Sequence, residues 1–186
     1  MADRSNTMSR LAKRFVPLMA LVGLQACGAT LTGPPDGAFG LVTGYHAANF
    51  LLPQGYSVAA LDGGRVRITA IGSSETPPAR VERIALARAA EYGVEQGKKF
   101  FQATAPVHSV KCGKRDQIVN GQKAATRPTH YAVAEIEVTY ANEPGDGKAQ
   151  PTNDTAAALK AEIQNEVVSA EAQNQAATDV LAKCGG

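Results

Sequence analysis

Tyr131-Ala132-Val133-Ala134-Glu135-Ile136-Glu137-Val138-Thr139-Tyr140 is the stretch that decides the fold. Ala132, Ala134, Ile136, Val138 and Tyr140 take one side of an extended chain. Tyr131, Val133, Glu135, Glu137 and Thr139 take the other. Alternation at period two marks a strand with one face on a core and the other toward water. Just before it, residues 113–129 read as a polar loop holding an Asn120-Gly121 turn signal. Further back, Phe101, Ala103, Ala105 and Val107 alternate with polar or small residues, a second strand. Pro106 lacks an amide donor, which places this strand at a sheet edge or a bulge.

Upstream, residues 79–96 spell a helix. Val81, Ala85, Ala89 and Tyr92 fall on one face, with Ile84 and Leu86 at its edges. Arg80, Arg83, Arg88, Glu91 and Glu95 gather away from that face, and Arg88 with Glu91 forms an i,i+3 ion pair. Ser73-Ser74-Glu75-Thr76-Pro77-Pro78 suits the helix start, and Gly97 sits where a stop is expected. Earlier still, 56–61 and 65–71 are candidate strands around an Asp62-Gly63-Gly64 turn. Val66, Ile68 and Ala70 alternate there with Arg65, Arg67 and Thr69. The order β-β-α-β-β over 55–141 predicts an α+β domain, a small antiparallel sheet packed on one helix.

Residues 142–152 are Gly- and Pro-rich and read as a linker. Residues 153–186 carry one long helix, capped by Asn153 or Asp154 and running to about Lys183. Its seam is narrow: Leu159, Ile163, Val167, Ala170, Asn174, Ala177 and Leu181. So little apolar surface leaves three arrangements: lying on the domain, pairing with a partner helix, or only partial order.

At the N-terminus, Arg4, Arg10, Lys13 and Arg14 precede the uncharged run Phe15-Val16-Pro17-Leu18-Met19-Ala20-Leu21-Val22-Gly23-Leu24. A membrane-spanning helix needs roughly 20 apolar residues. A basic segment before a short apolar one fits a secretory signal instead. The run ends in Leu24-Gln25-Ala26-Cys27, which resembles the lipobox of bacterial lipoproteins, with Gln25 a less usual residue at its position. The resemblance implies that 1–26 is removed, that the Cys27 sulfur takes a diacylglycerol, and that the new amino group is acylated. The thiolate is the nucleophile such alkylation needs, and several acyl chains together make membrane anchoring stable. Gly28 follows, rather than the Asp that resembles an inner-membrane retention signal. The outer membrane is therefore the expected location, with the domain facing the periplasm. Residues 27–54, rich in Gly and Pro, form a tether. The whole chain carries +2, and removing 1–26, with four cations and one carboxylate, leaves −1. A mature protein so nearly neutral has no basic footprint for nucleic acid.

A second resemblance rests on Gly55-Tyr56-Ser57, Ile71-Gly72, Ala79-Arg80-Val81-Glu82, Leu86-Ala87-Arg88-Ala89-Ala90-Glu91, Gln96-Gly97 and Phe100-Phe101. Residues 44–101 resemble a family of small proteobacterial lipoproteins with no assigned activity. Ser73 departs from the Asn commoner there. The resemblance implies the same fold and an envelope location, and it transfers no catalytic residues.

No reaction is spelled out by motif. G-x-S-x-G, P-loop and G-x-G-x-x-G patterns are absent from the sequence. Gly72-Ser73-Ser74 is explained as a polar helix start. Glu135 and Glu137 face one side of a strand, and a solvated outer face accounts for them without the split environments acid/base work needs. His46, His108 and His130 match no metal-binding spacing. If 113–129 is a hairpin, His108 and His130 could approach each other; surface histidines are the simpler reading. Neither cofactor nor metal is expected. The local excess of Lys111, Lys114, Arg115, Lys123 and Arg127 over Asp116 suits anionic headgroups, lipopolysaccharide phosphates or an acidic partner, or else is a solvated loop. With Cys27 alkylated, Cys112 and Cys184 are the remaining thiols, an even pair in an oxidising compartment. An intramolecular disulfide is expected, with free thiols or an intermolecular bridge as alternatives. The functional expectation is a non-catalytic envelope lipoprotein acting through protein or polymer contacts; the alternative is a periplasmic enzyme or small-ligand binder.

Overall fold

The alternating stretch does build a strand, but the strand is twice as long as the pattern. In the computed structural model, which describes residues 42–145 and 147–185 (with backbone alone at 115, 117, 127 and 128), β5 runs Gln122–Ala141. Its second half is the centre of a mixed α/β fold. On one side lies β2 (Val66–Ser73), antiparallel, with Ile68 opposite Ile136 and Ala70 opposite Ala134. β1 (Gly55–Ala60) completes that side as an edge strand. On the other side lie β3 (Phe100–Ala103) and β4 (Val107–Val119), end to end along β5. The short β6 (Gln150–Pro151) adds to β3. All six strands pair antiparallel.

Residue parity then sets the core. Val66, Ile68, Ala70, Ala132, Ala134, Ile136 and Val138 are buried on one sheet face with Phe101. That face carries α1 (Pro78–Glu95), which supplies Val81, Ile84, Ala85 and Ala89. Gly97, at a φ of 65°, ends the helix as expected. Near that end Gly93 lies so close to Thr152 and Tyr140 that a Cβ would stand 2.5 Å from the threonine methyl. Pro106, expected to mark an edge or a bulge of one strand, lies instead in a gap: residues 104–106 leave the ladder between β3 and β4, and Thr104 substitutes by exchanging hydrogen bonds with the Glu137 backbone through its own amide and hydroxyl.

Four expectations need correction. The C-terminal segment is two helices, α2 (Thr152–Asn165) and α3 (Ala170–Lys183). Glu166 takes extended backbone, and the Ser169 hydroxyl accepts from the Ala172 amide, starting α3 afresh. The break resets the helical phase: Ala176 and Val180 are buried, whereas Val167 is 90% and Leu181 47% exposed. Second, α1 is not one-faced. Ala87, Ala90 and Arg80 are also buried, with α2 packed against α1. Third, 113–129 is not a loop but the ends of β4 and β5 with a two-residue turn. Fourth, the tether's last part is docked. Val42 and Thr43 are buried; the Thr43 amide donates to Thr76 Oγ1, its hydroxyl accepts from the Ser73 amide, and Ala47 bridges Tyr56. The expected signal segment, Cys27 and the expected tether through residue 41 lie outside the described residues.

Candidate functional site

β2 covers β5 only from Tyr131 to Val138, while β4 follows β5 all the way to its start. Residues 112–130 therefore form a two-stranded arm extending past the three-stranded part of the sheet, with Lys111 at its root opposite Tyr131. Its turn is the one the sequence signals: Asn120 and Gly121 both have positive φ, 50° and 77°, as the common two-residue hairpin turn requires. A bulge between Gln117 and Ile118 gives β5 one residue more than β4.

All five cations expected to act together are on this arm or at its root. Lys111, Lys114 and Lys123 are exposed, and Lys123 Nζ pairs with Asp116 at 2.8 Å. Lys123 and the Thr126 hydroxyl together hold the Asp116 carboxyl below its usual range. Arg115 and Arg127 are register partners, two cationic residues directly opposite one another. At the tip Ile118 and Val119 are 61% and 57% exposed. A basic stem with an apolar tip is chemistry for a surface both anionic and partly apolar.

At the root of the arm, Cys112 is bonded to Cys184, the residue that caps α3, with Cα atoms 5.7 Å apart. The expected pairing is thus present, closing 72 residues of chain. His130 is the register partner of Cys112, and a ring nitrogen lies with the two sulfurs in a group no more than 4.8 Å across. Its Nδ1 is buried and makes no hydrogen bond. His108 pairs instead with Ala134, four residues along β5, so the two histidines stand roughly 13 Å apart at strand rise and do not meet. His108 Nε2 lies 3.4 Å from Glu82 on α1.

Glu135 and Glu137 do share the open sheet face, beside a hollow of about 470 Å³ where β3 and β4 part. Both are occupied. Arg65 and Arg67 hold Glu137 at 2.7 and 3.0 Å, and the Thr69 hydroxyl donates to Glu135. Both carboxylates are thus engaged by side chains on or next to β2.

Two part-buried ionic groups go beyond the Arg88–Glu91 pair that the sequence signalled. Arg80, fully buried, donates to the Thr43 carbonyl at 3.0 Å and to Glu166 at 2.6 Å; Arg83 also binds Glu166. Burial would raise the Glu166 carboxyl, but hydrogen bonds from Arg83 and Arg80 keep it lowered. The second group centres on Glu91. Its expected partner Arg88 is present at 2.8 Å, joined by Lys160 at 2.6 Å and the Tyr45 hydroxyl at 2.7 Å. Burial pushes this carboxyl up, but the bonds from Lys160, Tyr45 and Arg88 override it and hold it at about 2. Arg88 also lies over the rings of Tyr56 and Tyr92 and binds Glu95. Both groups tie the N-terminal segment and the α2–α3 region to α1, which is a structural use of charge.

Among the described residues no helix is long and apolar enough to cross a membrane. Comparison with models of protein families, with curated proteins and with solved structures finds nothing that matches this chain.

Proposed function

We propose that the protein is a lipid-anchored, non-catalytic component of the bacterial cell envelope, held at Cys27 in the outer membrane, that uses its arm to contact an anionic surface. The observation that carries the contact is the arm itself. Five cations against one carboxylate lie on, or at the root of, a two-stranded ribbon ending in exposed Ile118 and Val119. Such an excess of cations calls for negative charge on the surface it meets. Phosphates at a headgroup layer supply that charge, and the layer beneath accepts the apolar tip. Leu24-Gln25-Ala26-Cys27 supports the anchor, together with the basic and apolar segments before it.

Two measurements test the reading. Mass spectrometry of cell-envelope material is expected to show an acylated Cys27 at the N-terminus; an unacylated protein beginning elsewhere removes the anchor. For the arm, unacylated Cys27→Ser protein is mixed with phosphatidylglycerol or phosphatidylcholine vesicles. Binding is expected on the anionic vesicles and should weaken steeply with salt, since exposed charges are screened beyond roughly 8 Å at physiological ionic strength. Replacing Lys114, Arg115, Lys123 and Arg127 by Gln should reduce it about tenfold or more, at around 1 kcal/mol for each cation near such a surface. Equal binding by the parent and this variant overturns the contact.

A further inference from the structure

The root of the arm holds three side chains whose chemistry goes beyond a clip. Cys112 and His130 face each other across β4 and β5, and the end of α3 brings Cys184 onto them. Their two sulfurs and a ring nitrogen are mutually within 4.8 Å. Ligand atoms around a tetrahedral zinc ion stand about 3.5–4 Å apart, so small side-chain movements suffice once the sulfurs are no longer bonded. His130 Nδ1 is buried without a hydrogen-bond partner, and a buried polar nitrogen normally has one. Cys112 is exposed, so an attacking thiolate can reach the disulfide.

We infer that Cys112, Cys184 and His130 form a redox-gated binding site for a soft divalent cation of the zinc class. In the oxidised protein both sulfurs are tied up in their mutual bond. A dithiol reductant attacks one sulfur, and its second thiol resolves the mixed disulfide. The reductant leaves as a disulfide, two electrons pass to the protein, and Cys112 and Cys184 become thiols. Binding of the cation then releases both thiol protons, and neutral His130 donates a ring lone pair. The three ligands leave one position for water, the ligand count of an open zinc site. Two sulfurs and an imidazole favour zinc over magnesium or calcium, which prefer oxygen. The same three residues therefore fasten the arm to the C-terminal helix in either redox state, by a covalent bond when oxidised and by a metal when reduced.

The test uses the full chain carrying Cys27→Ser, whose only thiols are then Cys112 and Cys184. Zinc binding is followed by calorimetry, and cobalt is substituted to read thiolate-to-metal charge transfer by absorption. The reduced protein is expected to bind one ion per chain with a charge-transfer band, and the oxidised protein none. His130→Ala keeps the disulfide and the oxidised fold. After reduction it is expected to bind zinc more weakly by about tenfold or more, since losing even an outer partner of a metal ligand costs tenfold to a hundredfold. Reduced protein that takes up no metal overturns the inference, as does a His130→Ala variant of unchanged affinity. Circular dichroism covers the remaining case: if reduction abolishes the native signal and zinc does not restore it, the site is refuted.

Discussion

β5 passes through two environments, and they are built on different principles. From Tyr131 to Val138 it has β2 on one side and β4, then β3, on the other, with α1 covering one face, and Ala134, Ile136 and Val138 are essentially unexposed. From Gln122 to His130 it has a single strand partner, and its described neighbours on the arm are mostly exposed. The first half is held by apolar burial. The second cannot be, because a two-stranded ribbon is marginal by itself in water. The arm depends instead on its tight turn at one end and on the Cys112–Cys184 bond and the sheet at the other. One continuous strand can thus be core at one end and a solvent-exposed ribbon at the other. Its neighbours decide which.

The sharpest way to break this contrast is to remove the covalent fastening. Cys112→Ser with Cys184→Ser is expected to lower stability by about 4 kcal/mol, from the entropy of the closed loop of 72 residues. In hydrogen exchange, the amides of 113–129 should lose more protection than those of 132–138. Uniform loss across both halves would show that the arm has no separate dependence on the clip.

A smaller effect comes from equivalent truncations in the two halves. Ile136→Ala removes a fully buried side chain and should cost about 3 kcal/mol in denaturant unfolding. Ile118→Ala at the tip should stay within about 0.5 kcal/mol, because it vacates no packed space. A large loss at Ile118 would mean that the tip is packed in solution and not displayed.

The smallest effect concerns the ionic ties of the body. Glu91, held near 2 in the folded chain against an ordinary 4.5, contributes stability that is complete above about 4.5 and is lost as pH falls toward 2. Glu91→Gln should therefore cost on the order of 1 kcal/mol at pH 7, a figure kept low because this group meets solvent. The difference from wild type should shrink at pH 3. An unchanged difference between the two pH values would show that the Glu91 charge is not what binds Tyr45 and Lys160 to α1.

Much of this architecture is legible because it is local. Alternation at 131–140 and 65–71, the apolar stripe of α1, the Gly97 stop and the Asn120-Gly121 turn each follow from neighbours within a few residues. The Cys112–Cys184 pair was reachable too, because setting Cys27 aside as the expected lipidation site leaves two of the three cysteines. The break between α2 and α3 was not. Val167 and Val168 are tolerable in a helix, and only Glu166, drawn to Arg80 and Arg83, together with the Ser169 cap explains the interruption. Arg80 shows the same limit. A charged residue off the apolar stripe reads as surface until α2 and the N-terminal segment close over it.

The arm's root makes the division plain. The sequence by itself determined that Asn120-Gly121 turns the chain, and it offered Cys112 and Cys184 as the expected pair once Cys27 is set aside, because turn chemistry and cysteine positions are properties of a few residues. Counting back from that turn without interruption, Cys112 would face Thr129. One extra residue in β5, Ala124 across from the Gln117–Ile118 step, shifts the ladder, so Cys112 faces His130 and both lie on the face where α3 delivers Cys184. A slip of one residue in a strand reverses every side chain beyond it. Only the packed sheet and helix select among such registers, since the free energy that separates them comes from contacts distant in sequence.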